Sequence, residues 1–524
     1  MDKPLFLRSN YLYVSGLIIL VAGMPVSLFL MSISQFILAG SFLLEGNVTE
    51  KFRRFLSNKA ALLIAGIWLM HLVGLLWTTD VLQGLNDIRI KLPLLVLTII
   101  IAGSDPLSKK QFHWVLACFV ASVMIGTLVS MAVLTGIIQR DIIDIRDVFI
   151  FKISHIRFAL FTCIAVFVLI YFIFSRKEKV SLPLKILFTA LALWFFCFLF
   201  IVESLTGLSI CIAVLFLYLI FYAWKRLPFT GRAALLTGLA AAFFCAFFFL
   251  NKLYHEYDAD RIFSISLDAK TAQGNPYTFI LSNTETENGY PIYTYMCDEE
   301  LKRSWNRRSK IDFDSLDRKH QSQKFTLIRF LASKGLRKDS AAMAQLSDEE
   351  IRSIENGITN VNYQSPSVKS RLLEVAWELQ KYSNGGDPNG HSIMQRIESW
   401  KASLLVIKSN LFFGVGTGDL PNAMYKQYPA MNSKLDAKHY LRCHNQYLAI
   451  GVAFGIAGLA FFLFALFYQL PGHQRNYFYV VFFLTILFSM LTEDTLETQP
   501  GATFFAFFNA FFLFAQPGES AGRE

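Results

Sequence analysis

The chain has 524 residues, 54% of them hydrophobic and 15% aromatic, with a mean hydropathy of +0.43. That is more apolar than the roughly 45 to 50% of soluble domains, which excludes an ordinary soluble enzyme and points to a polytopic membrane protein. The formal net charge of +10 is then no argument for nucleic acid binding, because much of it lies in short loops whose lysines and arginines set topology.

Apolar runs able to cross a bilayer core, at about 20 residues each, occur near 11–22, 26–44, 60–77, 92–103, 112–138, 157–174, 184–202, 206–224, 233–250, 445–468, 477–491 and 502–515. The expected fold is all-α, with about twelve transmembrane helices. The first two runs and the fourth are short. One loop parity collects Lys3 and Arg8; Lys51, Arg53, Arg54 and Lys59; Lys109 and Lys110; Arg176, Lys177 and Lys179; Lys225, Arg226 and Arg232; and Arg475. That side is assigned to the cytoplasm, with both termini. The other parity includes Gly23-Met24-Pro25, Glu203-Ser204-Leu205 and 492–499, which carry no basic residue. No cleavage site follows the first run, so it is read as retained and not as a signal peptide.

Some cations fall on the outward parity, where the positive-inside rule disfavours them: Arg89, Lys91, Arg140, Arg146, Lys152 and Arg157. Arg140 and Arg146 have Asp141, Asp144 and Asp147 as local ion-pair partners, and such surface pairs are common. The functional reading is a phosphate site, for which the planar guanidinium fork is suited. Arg157 fits it best, because it stands just inside an apolar run, after Ser154-His155, where an unpaired charge is costly.

Between residues 251 and 443 the composition turns polar, and parity places the segment outside as a large extracytoplasmic domain, mixed but mainly helical. Residues 1–250 precede it as a region of about nine helices, and 444–524 follow with about three. Short strands are expected at 261–267, 277–281 and 290–295, the last two separated by a stretch ending in Asn288-Gly289. Ser347-Asp348-Glu349-Glu350 has capping-box form, with Ile351, Ile354 and Ile358 at helical spacing and Gly357 as the stop. A helix follows over 368–382. After Gly385-Gly386 and Pro388, Ser392-Ile393-Met394-Gln395 is a second capping box, opening the helix that carries Arg396 and Trp400 on one face.

No Cys/His spacing reads as a zinc site, and the expectation is no metal and no cofactor. Asp258-Ala259-Asp260 and Asp312-Phe313-Asp314 are read as solvated surface, since the nucleotide sugars that such pairs serve are made in the cytoplasm. Of seven cysteines, Cys297 and Cys443 lie in the outer segment, where an oxidising compartment permits a disulfide.

Cys443-His444-Asn445-Gln446-Tyr447 sets an imidazole and an amide at the last polar step before an apolar helix, which holds Gly455 and Gly458. Small residues at that spacing allow close helix approach. His444-Asn445, nine residues and then Gly-x-x-Gly resembles the signature of the O-antigen ligase family, which transfers lipid-linked glycans outside the cytoplasmic membrane. Arg396-Ile397-Glu398-Ser399-Trp400, and then Phe413-Gly414-Val415-Gly416-Thr417-Gly418-Asp419, look like that family's Arg-x3-Trp helix and Gly-rich turn. The resemblance is strong over 392–514 and mostly hydropathic before.

The resemblance implies a membrane glycosyltransferase of the cell inner membrane. Its donor would be a polyprenyl-diphosphate-linked glycan, and its acceptor a lipid A-core sugar. Polymerisation of the glycan and transfer to protein hydroxyls stand beside this as alternatives. A flippase would want polar residues buried within the spans, most of which are nearly charge-free. His444 is the candidate to deprotonate or orient the acceptor, and Arg396 the candidate to hold the diphosphate, with Arg157. Arg442, Asn445 and Trp400 are counted as substrate-binding. So are Glu493 and Asp494, in the acidic turn between the last two runs, which also resembles the family. Where the family often has Ser-Arg at the outer end of a middle span, this chain has Ser204-Leu205. Arg157 would have to stand in for that arginine.

Overall fold

The structure is a computed structural model. It describes residues 10–142, 145–151, 153–175, 178–257, 269–282, 285–364, 367–383, 385–473 and 476–517. The expected strand at 261–267, the pair of Asp258 and Asp260, and Lys3, Arg8, Asp144, Lys152, Arg176, Lys177 and Arg475 lie outside the described residues.

The chain divides into two compact units. One comprises Met1–Gln139, Val148–Tyr222 and Lys381–Glu524, and the other Arg140–Asp147 and Ala223–Gln380. The polar segment expected over 251–443 is therefore shared between them, since everything from Lys381 onward packs with the first unit.

In the first unit, five helices among the described residues are long and apolar enough to cross a membrane: Lys59–Trp77, Lys109–Leu134, His155–Phe174, Leu182–Ile201 and Gln446–His473. Leu28–Leu44 with Val48–Ser57 makes a sixth if counted as one span bent by 110°. Tyr11–Gly23, Leu205–Phe221 and Tyr477–Thr492 are shorter. Among the described residues, five of the dozen runs read from hydropathy form helices of spanning length, or six with the bent pair, and others fall short. Pro93–Gly103 shows why: proline opens it, glycine closes it, and its 11 residues, at about 1.5 Å each, fall well short of a hydrocarbon core about 30 Å thick.

Helix starts follow from small polar residues set before apolar runs. Asn58, Ser108, Ser154, Asn445 and Asn476 each accept a hydrogen bond from the backbone amide three positions on, satisfying an amide the helix leaves open. The centre of the unit is the helix Gln499–Phe514, in which Phe504, Phe505, Phe507, Phe508, Phe511 and Phe512 are all buried. Phe511 stacks on Phe112 with ring centroids 4.7 Å apart, and Phe508 meets Phe119 edge-on at 5.0 Å. Lipid tails are as apolar as phenylalanine, so this burial acts through close packing and not through exclusion of water. Aromatic pairs of this kind contribute about 0.5 to 1.5 kcal/mol each.

The second unit has its own core of Leu301, Trp305, Phe313, Leu327, Phe330, Leu331, Ile351 and Ile354. The Ser347 capping box forms as expected, and Gly357 ends the turn after it at φ 75°. The strands expected over 277–281 and 290–295 shrink to a two-residue antiparallel pair, Thr286–Glu287 with Tyr290–Pro291, plus a bridge between Thr278 and Met296. Asn288 and Gly289, both at positive φ, make the tight turn. Pro291 has no amide proton with which to extend the ladder. Asp312 accepts from Asn306 and Asp314 pairs with Lys302, as solvated carboxylates do.

Candidate functional site

Three segments of the first unit converge. The loop before Gln446–Phe467 brings Arg442, His444 and Asn445. The turn after Tyr477–Thr492 brings Glu493, Asp494 and Glu497. The helix Ser392–Ser409 brings Arg396 in its second turn. Glu493 Oε1 accepts a hydrogen bond from Arg396 Nη2 at 2.9 Å and lies 3.9 Å from His444 Nδ1. The second distance is too long for a hydrogen bond, and His444 Nδ1 is buried without such a partner. His444 itself stands at φ 44°, a left-handed conformation that is uncommon for residues other than glycine and is concentrated at functional sites.

Asp494, 4% exposed, faces Arg442 Nε at 3.5 Å, and Arg442 Nη1 also donates to the Glu497 carbonyl at 3.1 Å. Arg157, in the first turn of His155–Phe174, extends its guanidinium over Gly501, where a β-carbon would lie 2.9 Å from Nη2. Among the described residues the Arg157 side chain has no hydrogen-bond or ion-pair partner, although its charge reaches Glu493 and Asp494. Burial works to raise the pKa of Glu493, but His444, Arg396 and Arg157 outweigh it and hold the carboxyl below its ordinary value. For Asp494 burial wins over Arg442 and His444, and its pKa is raised.

Not every expected contact forms. Arg396 reaches Glu493, and Trp400 Nε1 is buried with no hydrogen-bond partner among the described residues. The Ser392 capping box is absent: His391 is the N-cap, without a side-chain bond, and Gln395 instead contacts His439 at 3.3 Å. Asn445 is engaged structurally, its oxygen capping Leu448 and its nitrogen donating to the Leu491 carbonyl at 2.9 Å. Lys91 is buried in an ion pair and Arg89 is exposed, bonded to Asn86, so neither joins Arg157. Cys297 and Cys443 are both buried and free.

The glycines do not serve simply as a smooth surface for helix approach. The helix that starts at Gln446 is broken at Gly455, with φ 63° and ψ −160°. A continuous helix would pair the Val452 and Ala453 carbonyls with the amides of Ile456 and Ala457. Here those carbonyls accept from Val415 and Gly416, while Ile456 and Ala457 donate to Leu411 and Phe412. The Gly-rich turn thus satisfies all four backbone groups that the break releases, as an apolar surrounding demands. Its amides are turned to protein and not to an anion. Asp419 completes the anchor by accepting from both backbone amides of Thr79 and Asp80.

Residues 342–463 match the family model described as O-antigen ligase. The chain carries an O-antigen ligase family domain. Such a domain belongs to membrane glycosyltransferases of ligase or polymerase type. No curated protein matches the chain. The matched stretch begins upstream of residue 392, where the signature was first read. It contains Arg396, Trp400, Arg442, His444, Asn445 and the glycines, and stops short of Glu493 and Asp494, which the fold alone brings to His444.

In the O-antigen ligase family domain, His444, with Glu493 and Asp494 beyond the matched stretch, presents ligand atoms within 4.8 Å of one another, close enough to converge on one cation. The donor set suits a cation poorly. Glu493 is bonded to Arg396, Asp494 faces Arg442, and Arg157 stands alongside, so a divalent ion would meet three guanidiniums. Sequence reasoning weighed Lys91 among cations for a phosphate site and missed that it forms a buried network with Glu497 and Gln446 beneath the turn. Its signal was present in a lysine on the disfavoured side and a glutamate beside an apolar helix.

Proposed function

We propose that the protein transfers a glycan from a polyprenyl diphosphate onto a hydroxyl of a lipid A-core sugar, at the periplasmic face of the cell inner membrane. The observation that carries this reading is Arg157, a guanidinium with no partner among the described residues, at the end of a membrane helix beside the Arg396, Glu493 and His444 cluster. An unpaired charge in that position is costly unless a ligand anion completes it. A diphosphate is the anion such a donor supplies, and the planar fork matches its oxygens.

In this reading His444 takes the acceptor hydroxyl proton as the oxygen forms its bond to the anomeric carbon. The bond from that carbon to the diphosphate oxygen breaks, and Arg157 and Arg396 hold the departing polyprenyl diphosphate. Glu493 holds the imidazole in its working orientation and stabilises its protonated form. Arg442, Trp400, Asn445 and Asp494 line the same site. The topology that goes with this reading has both termini in the cytoplasm, so a single cysteine placed at Asn306 should react with a membrane-impermeant thiol reagent in intact spheroplasts.

The deciding experiment is the glycolipid profile of a strain lacking the gene. Loss of long glycan from lipid A, with lipid-linked polymer accumulating, is the expected result. Single repeat units capping lipid A would instead mean polymerisation, and an unchanged profile would overturn both.

A further inference from the structure

Lys91 closes the helix Val81–Lys91 and is 1% exposed. Its Nζ lies 2.6 Å from Glu497 Oε2 and 3.8 Å from Asp87 Oδ2. The other carboxylate oxygen of Glu497 accepts from Gln446 Nε2 at 3.2 Å, and Gln446 Oε1 accepts from the Leu496 amide at 2.7 Å. The Glu497 carbonyl receives Arg442. His71 faces the same network from the helix Lys59–Val73, near enough to interact with Glu497.

The two backbone segments tied together here, 442–446 and 493–497, are the ones that carry His444 and Arg442 on one side and Glu493 and Asp494 on the other. Lys91 is fully buried and already holds a carboxylate, so it is not a phosphate ligand. Apolar side chains of similar volume would fill the space and stabilise as well or better. What the ion pair adds is direction. Each Glu497 oxygen has one partner, Lys91 on one helix and Gln446 on another, so the turn has a single register against both.

We infer that Lys91 and Glu497 are positioning residues for glycan transfer, setting the approach of Glu493 to His444 and the aim of Arg442 without touching substrate. The inference rests on His444 acting as the acceptor base.

The test uses the full chain in nanodiscs, as Lys91→Met, Glu497→Gln and the double variant Lys91→Met/Glu497→Leu. Transfer is measured per folded molecule, and amide hydrogen exchange is followed over 441–446 and 493–498. A residue that orients a catalytic group from behind typically costs about 10- to 100-fold when removed. Lys91→Met should lower kcat by that amount, with donor KM nearly unchanged and the pH profile of kcat altered. The double variant, in which Glu497 no longer leaves an unpaired charge and Asp87 keeps its hydrogen bond from Gln83, should recover normal folded amount yet keep the low kcat and the faster exchange in both segments. A double variant transferring at the wild-type rate would reduce the pair to packing and overturn the inference, as would unchanged exchange in either variant. Wild-type protein that transfers no glycan would remove the catalytic reading, and the exchange data would still decide whether the pair fixes the two segments.

Discussion

Arg396 and Glu493 are joined at 2.9 Å although they stand 97 positions apart, and the same Glu493 oxygen is the nearest anion to His444 Nδ1. One carboxylate therefore sits between the residue proposed to hold the diphosphate and the residue proposed to receive the acceptor proton. Protonating it should loosen both. Burial alone would raise Glu493, but its cationic neighbours hold it below 4.5. With the folded value depressed, the stabilisation is complete above the unfolded value and is lost as pH falls from about 4.5 through the folded value. Thermal melting of the purified protein should thus be insensitive to this group from pH 7 to 5 and decline below. In Glu493→Gln the acid decline should be shallower; the same slope in both proteins would detach Glu493 from the cluster's stability.

For His444 the backbone matters to the choice of variant. At φ 44° asparagine is tolerated better than most residues, so His444→Asn removes the base with little conformational cost. Turnover should fall about 10²- to 10⁴-fold, while lipid-linked donor still binds and the protein reaches the membrane in normal amount. Arg396→Lys keeps a charge opposite Glu493 but loses the two-pronged fork, so its defect should appear with donor. Near-normal transfer by a well-expressed His444→Asn protein would end the catalytic assignment.

The sequence and the structure agree where a side chain can obey the local rule and still keep its other bonds. Glu350 closes its box with one oxygen and holds Lys334 with the other, and Asn445 caps with its oxygen while its nitrogen donates to the Leu491 carbonyl. Ser392 and Gln395 have the same spacing, yet no box forms, since Gln395 turns to His439, 44 positions away. The motif residues His444 and Arg396 were legible as types at a spacing and Glu493 as a candidate in an acidic turn, but that Glu493 stands between the other two was not legible. Hydropathy located the apolar runs and already marked the fourth as short, and Pro93 and Gly103 hold it to about half a span. Gly455 was read as a surface for helix approach because a broken helix and a smooth one have the same composition. Only the backbone pairing of Leu411 to Gly416 distinguishes them.

Gly455 should be among the least replaceable positions. A β-carbon there would lie 2.4 Å from the Phe412 carbonyl carbon and 2.6 Å from the Leu411 oxygen, all backbone and unable to yield. Its dihedral angles add a cost of about 1 to 3 kcal/mol for any other residue. Gly455→Ala should therefore fail to accumulate or should melt well below wild type. At Gly40, a β-carbon meets nothing within 4 Å, and alanine inside that helix should be neutral or stabilise by up to about 1 kcal/mol. Equal melting temperatures for the two variants would mean the break at Gly455 is not held by the Gly-rich turn.

His444, Glu493 and Asp494 have the spacing of a metal site, and charge argues against one. Two of the three carboxylate and imidazole partners already answer to arginine, and Arg157 adds a further positive charge near enough to act on both carboxylates. The donor's diphosphate is a leaving group that these guanidiniums can stabilise without a Lewis acid. Transfer in detergent or nanodiscs should accordingly persist through treatment with a strong chelator, and added magnesium or manganese should not raise it. Activity lost on chelation and restored by either ion would reassign Glu493 and Asp494 from holding His444 and Arg442 to holding the metal, and would leave His444 to act as its ligand instead of as the base.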